Sequence, residues 1–473
     1  MKQILLSSSP EETQLAVMED GKLTDFAMER AGRDNLVGRI YKGVVRNVTP
    51  DLKGIFVDIG VGQNAFLRVQ DLPGKEVPTE GKSLLVQVVR DSTATKGPAV
   101  TGKISFSGRY AVALTDTDYI GVSKKIRSEE KRALLRKEGK ALSPEGMGLI
   151  IRTAAEKAGL EEVRADICRL KGRWETLMKR SRMEKAPALL YRESDLVVRC
   201  FRDYVTDDTD EVIVDSAGVQ DRLHDMAGEE GGGREDIIFL HTDTVPLMKA
   251  YHAAEQIHLL FEREVPLPGG GSLIFDYAEA LTAIDVNSGS FRGRGMSHND
   301  MACLVNREAC GEIARQIRMR GIGGMILIDF IDMAREEDKE AIVKTLREAV
   351  QKDRVKTVVC GMTSLGLVEM TRKRTAHRLW QSCYDTCPVC HGTGRILSAE
   401  SVAIAIKNDL TEKARAHLLR EDILIECHKD VAAILRKEEA EERLSSRFHR
   451  AVHIEEGNHP DRAVYTISAC HSD

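Results

Sequence analysis

Apolar and polar residues alternate on both sides of a Glu-Asp-Gly-Lys turn in "ETQLAVMEDGKLTDFAME". Period-two alternation about a tight turn predicts a β-hairpin. After "GRDNLV" the texture becomes one of short, evenly spaced apolar runs: "GRIYKGVVRNV", "GIFVDIG", "NAFLRV" and "SLLVQVV". Turn signals such as "TPDLKG" and "GVGQN" separate them, which predicts a small closed barrel. From Ser128 to about Arg182 the chain is charge-rich and helical, with a strand-like "GMGLIIRTA" in its middle. "EVIVDS" at 211–216 returns to strand, and the acidic, Gly-rich "GEEGGGRED" reads as a surface loop. "REVPLPGGGSLIFDYAEALTAIDVNSG" predicts two strands across a glycine turn and a third, buried one. A long helical stretch, "NDMACLVNREACGEIARQIRMRG", leads from there into the strand "GGMILIDFIDM". That alternation predicts an α/β domain whose sheet is covered by helices. The tail repeats the theme on a smaller scale with "SVAIAIKNDLTEKARAH", "DILIEC" and "DVAAILRKEEAEERL".

At 473 residues the chain exceeds one ordinary core, so three or more modules are expected. Hydrophobic residues at 42% and charged residues at 30% fit a soluble globular protein. The first ten residues hold an apolar run too short for a signal-peptide core. No apolar run approaches a membrane span. Ten cysteines without regular spacing read as thiols of a reducing cytoplasm, not a disulfide framework. The net charge of −5 does not advertise a nucleic-acid binder, yet "RLKGRWETLMKR" and "TRKRTAHR" are locally basic. Such patches meet phosphates or form solvated helix faces.

Candidate chemistry sits at the ends of two apolar strands. "LTAIDVNSG" and "MILIDFIDM" each end on an aspartate, Asp285 and Asp329. On strands buried on both faces, carboxylates are costly unless paired or holding a cation. In open α/β sheets ligands bind beyond the carboxyl ends of strands. Asn287 shares a face with Asp285 if the strand continues, and two carboxylates with an amide oxygen suit Mg²⁺. Each aspartate alone is better explained as a turn cap, while both together with Asn287 favour the metal, and Asp332 is either a helper or the cap of the following helix. Phe56 and Phe66, on adjacent barrel strands, are either core residues or stacking platforms for single-stranded bases. Cys387 and Cys390 in "DTCPVCHGTG" supply two of the four ligands of a tetrahedral zinc. Cys383 and His391 are the nearest candidates to complete it, although His391 follows Cys390 directly and adjacent residues chelate one ion awkwardly.

Seven segments in order, "GRIYKGVV", "GLIIRTA", "FRDY", "ALTAIDVNSG", "GGMILIDFIDM", "GLVEMTRKR" and "CPVCHGTG", carry a resemblance to the ribonuclease E/G family of bacterial endoribonucleases. The resemblance spans nearly the whole chain. It implies an α+β multidomain protein with an RNase H-like domain in two parts, 1–35 and 198–261. Into that domain are inserted an OB-fold RNA-binding barrel at 36–118 and a 5′-end sensor region at 119–197. A DNase I-like α/β catalytic domain at 262–382, a zinc link at 383–397 and a small α/β domain at 398–473 follow. It further implies Mg²⁺ at Asp285 and Asp329 with Asn287 assisting, base contacts by Phe56 and Phe66, and a 5′-monophosphate pocket at Arg152 and Thr153. Arg152 has a plainer alternative, an ion pair with an acid such as Glu156. The zinc of the family is shared, each protomer giving one Cys-x-x-C pair, so Cys387 and Cys390 would be one half and the oligomer a homodimer or dimer of dimers. The chain ends at Asp473 without the long tail of larger members, so a short member of the family is expected.

Two classes of function follow. One is a Mg²⁺-dependent endoribonuclease of rRNA and tRNA processing and mRNA decay. It would cut single-stranded RNA by water attack on phosphorus, leave 5′-phosphate and 3′-hydroxyl ends, and favour 5′-monophosphorylated substrates. The other is a non-catalytic RNA-binding protein that uses the barrel and the basic patches. Asp285, Asn287 and Asp329 discriminate, since a pure binder has no use for carboxylates facing phosphates.

Overall fold

The structure is a computed structural model. It describes the chain except residues 32–35, 75, 93–96, 116, 193–194, 230–233, 291–296, 375–378, 380–382, 417–420, 438–439 and 471–473, together with the side chains of 440, 441, 447, 448 and 470. The described residues fall into two compact units, Met1–Ser382 and Cys383–Asp473.

The hairpin opens the first unit. Lys2–Ser8, Glu12–Glu19 and Lys22–Arg30 form an antiparallel meander, to which Glu211–Val214 and then Ile238–Leu240 add in parallel. Ile4, Leu6, Leu15 and Val17 pack to one side with Val197, Phe201 and Leu223. Leu5, Ala16 and Met18 pack to the other with Leu247 and Leu260. This sheet is therefore buried on both faces.

The barrel runs Ile40–Thr49, Gly54–Asp58, Ala65–Arg68, Ala99–Thr101, Ser83–Arg90, and it closes where Ile40–Thr49 also pairs with Ser83–Arg90. Tyr41, Val45, Ile55, Val57, Ala65, Leu67, Val86 and Val100 fill it. The expected boundary at 118 differs from the pairing. Ser105–Ser107 and Ala111–Thr115 leave the barrel and join Met147–Ile151 and Ile120–Val122 in a separate four-stranded sheet. Helices Glu129–Leu142 and Leu160–Met183 pack with it. The later strand Ala188–Tyr191 returns to the barrel beside Ile40–Thr49.

The third part of this unit is a six-stranded mixed sheet, ordered Glu264–Pro266, Ser272–Tyr277, Leu281–Asn287, Gly324–Asp329, Leu367–Arg372, Thr357–Met362. Its one parallel pair is Leu281–Asn287 with Gly324–Asp329, joined by the long helix His298–Met319. That helix and Glu336–Val350 cover one face, with Ile284, Val286, Ile326 and Ile328 beneath them. Here the sequence expectation is corrected. Thr282, Ile284 and Val286 are buried while Ala283, Asp285 and Asn287 are exposed, so the aspartate strands are buried on one face only. In the second unit, Val452–Gly457, Asp422–His428 and Tyr465–Cys470 form a small sheet, packed with the helix Ala399–Arg415 through Ile406, Leu410, Ile423 and Ile425.

Candidate active site and nucleic-acid surfaces

Alternation on the open face of the six-stranded sheet decides where its carboxylates point. Asp285 and Asp329 are register partners on adjacent parallel strands, each near its carboxyl end and each exposed. Neighbouring strands lie about 4.8 Å apart, which sets two like charges side by side. Desolvation, then the charges of Asp285 and Asp332, push the Asp329 carboxyl above its ordinary range. No Lys, Arg or His pairs with either carboxylate among the described residues. Asn287 Nδ2 donates to Asp285 Oδ2 at 2.9 Å, fixing that carboxylate by its amide. Arg263, ion-paired with Asp276, also feels the charge of Asp285. Two carboxylates outside any ion pair and an adjacent amide oxygen are a donor set that fits Mg²⁺, which takes one or two carboxylates plus water and phosphate oxygens. No cluster of three or more acidic, His or Cys side chains able to hold a metal occurs among the described residues.

The segment beyond Asp329 is pinned from the helix behind it. Asn306, fully buried on His298–Met319, donates to Ile331 O at 2.8 Å and accepts from Ile331 N at 3.0 Å. Asn299 accepts from Ala334 N at 2.8 Å. Asp332 does not cap the next helix, whose N-cap is Arg335; it acts on Asp329 through charge. Glu369 stands on the same open face, opposite Leu327, and is a third acid that the sequence reading passed over.

Arg152 follows the strand Met147–Ile151 and does not pair with Glu156, which accepts from Arg127 N instead. Its Nη1 and Nη2 both reach Asp203 Oδ1 at 2.9 Å, and Nη1 also donates to Gly108 O at 2.7 Å. Burial pushes the Asp203 carboxyl up, but the hydrogen bonds and charges of Arg202 and Arg152 outweigh it and hold the net value below the ordinary range. Arg152 lines a cavity of about 420 Å³ with Arg202, Tyr204 and Arg354, whose guanidinium lies 4.3 Å from the Tyr204 ring centre. Six arginines face three aspartates around this cavity, which therefore favours an anion. Thr153 does not line it; its Oγ1 lies 2.9 Å from Ser123 Oγ.

Asp166, 3% exposed on Leu160–Met183, holds the wall beneath Arg152. It accepts from Tyr110 N at 2.9 Å, Ala111 N at 3.0 Å and Arg109 N at 3.3 Å. Its carboxylate fills the space a Cβ at Gly108 would need. Asp166→Ala strands these buried donors, each worth about 1–3 kcal/mol when left unpaired. A loss of about 3 kcal/mol or more in urea unfolding is the expected result.

In the barrel, Phe56 and Phe66 are opposite each other on neighbouring strands, half-buried, with ring centres 5.6 Å apart edge to face. The buried barrel core is built from the alternate residues Ile55, Val57, Ala65 and Leu67. The rings thus lie on the outer surface. In the second unit, Cys387 and Cys390 are free thiols on a tight turn, with His391, Gly392 and Gly394 all at positive φ. Backbone N–H groups of Gly394 and Gly392, then the Cys387 thiol, hold the Cys390 thiol below its usual value. A turn that stabilises thiolate suits a metal. Neither Cys383 nor His391 forms a larger metal-binding cluster with the pair among the described residues.

The chain matches the ribonuclease E/G family over residues 105–375, more than half its length. It is 36% identical to ribonuclease G of Escherichia coli strain K12 over 433 residues, 88% of each chain. The chain belongs to the ribonuclease E/G family. Ribonuclease G of Haemophilus influenzae is 34% identical over 426 residues, 86% of this chain and 87% of that protein. Ribonuclease E of Escherichia coli strain K12 is 35% identical over 436 residues, 88% of this chain but 41% of that protein. Residues 36–100 match the S1 RNA binding domain, so this member of the ribonuclease E/G family carries an OB-fold barrel, and the match ends within its strand Ala99–Thr101.

Within this family member, the structure brings together Asp285, Asn287 and Asp329 on one face and Phe56 with Phe66 on another, while Arg152 and Thr153 turn to different neighbours. Asp203, Tyr204, Asn306 and Asp166 were not assigned roles from sequence. "FRDY" was visible as a motif, but nothing local to it says that Asp203 meets Arg152.

Proposed function

We propose that this endoribonuclease cuts single-stranded RNA at Asp285 and Asp329, the residues that would hold Mg²⁺. The observation that carries the reading is the register pairing of two exposed carboxylates, neither of them in an ion pair among the described residues. When bound, Mg²⁺ supplies the positive charge that polarises an attacking water and neutralises the phosphoryl oxygens. Asp285 and Asp329 bind and place that charge at the open strand ends, and Asn287 keeps the Asp285 carboxylate oriented. Water oxygen bonds to phosphorus as the bond to the 3′-oxygen breaks, so the products carry 5′-phosphate and 3′-hydroxyl ends. The test is incubation of end-labelled RNA with Mg²⁺, with and without chelator, followed by adaptor ligation to the new 5′ ends. Cleavage that persists after the chelator, or ends that refuse a ligase needing 5′-phosphate, would overturn it.

The same reading takes the five-stranded sheet as the RNase H-like part, supported by its meander with two added parallel strands, and the six-stranded sheet as the DNase I-like part. The outer rings of Phe56 and Phe66 contact bases. The anion-favouring cavity at Arg152 receives a 5′-monophosphate, for which a guanidinium offers two parallel charge-assisted hydrogen bonds. Asp203 holds Arg152 until a phosphate competes for it. Arg152→Ala should slow cleavage of 5′-monophosphorylated RNA about tenfold or more and barely change that of the 5′-hydroxyl form, measured at one fixed salt concentration. Equal slowing on both would assign Arg152 to support of the fold.

A further inference from the structure

Beside the Phe56–Phe66 platform lies a groove of about 860 Å³ that the reading above does not use. Phe66, Pro50, Leu52 and Val77 are among the apolar residues that line it, and Lys53 and Arg68 line it with them. Leu52 is 61% and Val77 40% exposed, which is wasteful for side chains with nothing to cover them. Among the described residues, no carboxylate lines the groove. Lys53 and Arg68 have no ion-pair partner among the described residues. The turn that presents them is rigidly made: Lys53 takes φ 45°, its N–H donates to Pro50 O at 3.0 Å, and its carbonyl accepts from Val69 N at 2.9 Å. Gly54 makes room for the aromatic wall, since a Cβ there would overlap the Phe66 ring.

We propose that this groove seats one further nucleotide of single-stranded RNA, its base against Phe66, Leu52 and Val77 and its phosphate on Lys53 and Arg68. The inference rests on the RNA-binding reading of the barrel. OB-type barrels bind oligonucleotides on the face of their second and third strands and on the loop between the first two, which is where Phe66 and the Pro50–Lys53 turn lie. An apolar slot lined by two cations and, among the described residues, no carboxylate matches a base and its phosphate better than it matches a protein segment. The groove shares the Phe66 ring with the platform, so one strand can run from the Phe56 side into it.

The test uses the full chain and a fluorescent single-stranded RNA in buffer without added Mg²⁺. Leu52→Ser with Val77→Ser should weaken binding about tenfold without altering its salt dependence, because both are exposed and uncharged; stacking of one base is worth about five- to a hundredfold. Lys53→Ala with Arg68→Ala should weaken binding and lower the slope of log affinity against log salt by about 0.7, the loss of one phosphate contact. Phe56→Ala, which lies outside the groove, separates the two readings. If Phe56→Ala weakens binding while Leu52→Ser with Val77→Ser leaves it at the parent value, the groove inference falls and the platform stands. If all leave it unchanged, the RNA-binding reading of the barrel falls as well.

Discussion

Asp329→Asn, and separately Asp285→Asn, will lower the cleavage rate about a thousandfold or more while the affinity for RNA stays within about twofold of the parent. The amide keeps the shape of the side chain and removes the charge that holds Mg²⁺. Charge stabilisation of the transition state by a metal is worth several kcal/mol, and about 4 kcal/mol is a thousandfold. RNA affinity is expected to persist because the barrel rings lie on another sheet and neither aspartate lines the arginine cavity. A second readout needs no catalysis. Asp285 and Asp329 repel each other across one strand spacing, so neutralising one relieves repulsion and costs no packing on an exposed face. Without Mg²⁺ each variant should melt at or above the parent temperature, and added Mg²⁺ should stabilise the parent but not the variants. A variant that cuts at more than a few per cent of the parent rate, or that is still stabilised by Mg²⁺, would remove these aspartates from the site.

The strands, the barrel and the order of motifs were legible because each rests on local periodicity. "GIFVDIG" and "NAFLRV" place Phe56 and Phe66 at matching positions of alternating strands, and the structure pairs them in register. The sidedness of the six-stranded sheet was not legible. Ala283 and Leu327 on its open face are as apolar as Ile284 and Ile328 beneath the helices, so the letters suggest burial on both faces. Only the positions of His298–Met319 and Glu336–Val350 show which face is covered. The surroundings of Arg152 were hidden for another reason. Its partner Asp203 is 51 residues away, and Asp166 reaches Tyr110 across 56. A hydrogen bond between distant segments leaves no periodic trace, and Arg152 beside Glu156 offered a nearer and mistaken partner. Asn306 is similar: an asparagine in the middle of an apolar helix face reads as a blemish until the Ile331 backbone is set against it.

Cys387→Ser with Cys390→Ser will abolish zinc binding and shift the protein to a smaller assembly. Each chain presents two thiols on one turn, with the Cys390 thiol already held below its usual value by backbone N–H groups of Gly394 and Gly392. Tetrahedral zinc needs four ligands, and serine supplies neither the charge nor the softness of thiolate. If the site is shared, two chains each give one pair, and the metal joins the copies in the way a structural zinc joins two segments of a small domain. The parent should therefore carry one zinc per two chains, measured by elemental analysis, and light scattering should show it as a dimer or a multiple of one. Removing the metal with a strong chelator should reproduce the mass of the double variant, since both take away the same link. A parent with one zinc per chain would instead require four ligands within one copy, with Cys383 or His391 recruited to the pair. An unchanged mass in the zinc-free variant would show that other surfaces hold the copies together and that the cysteine turn serves only its own fold.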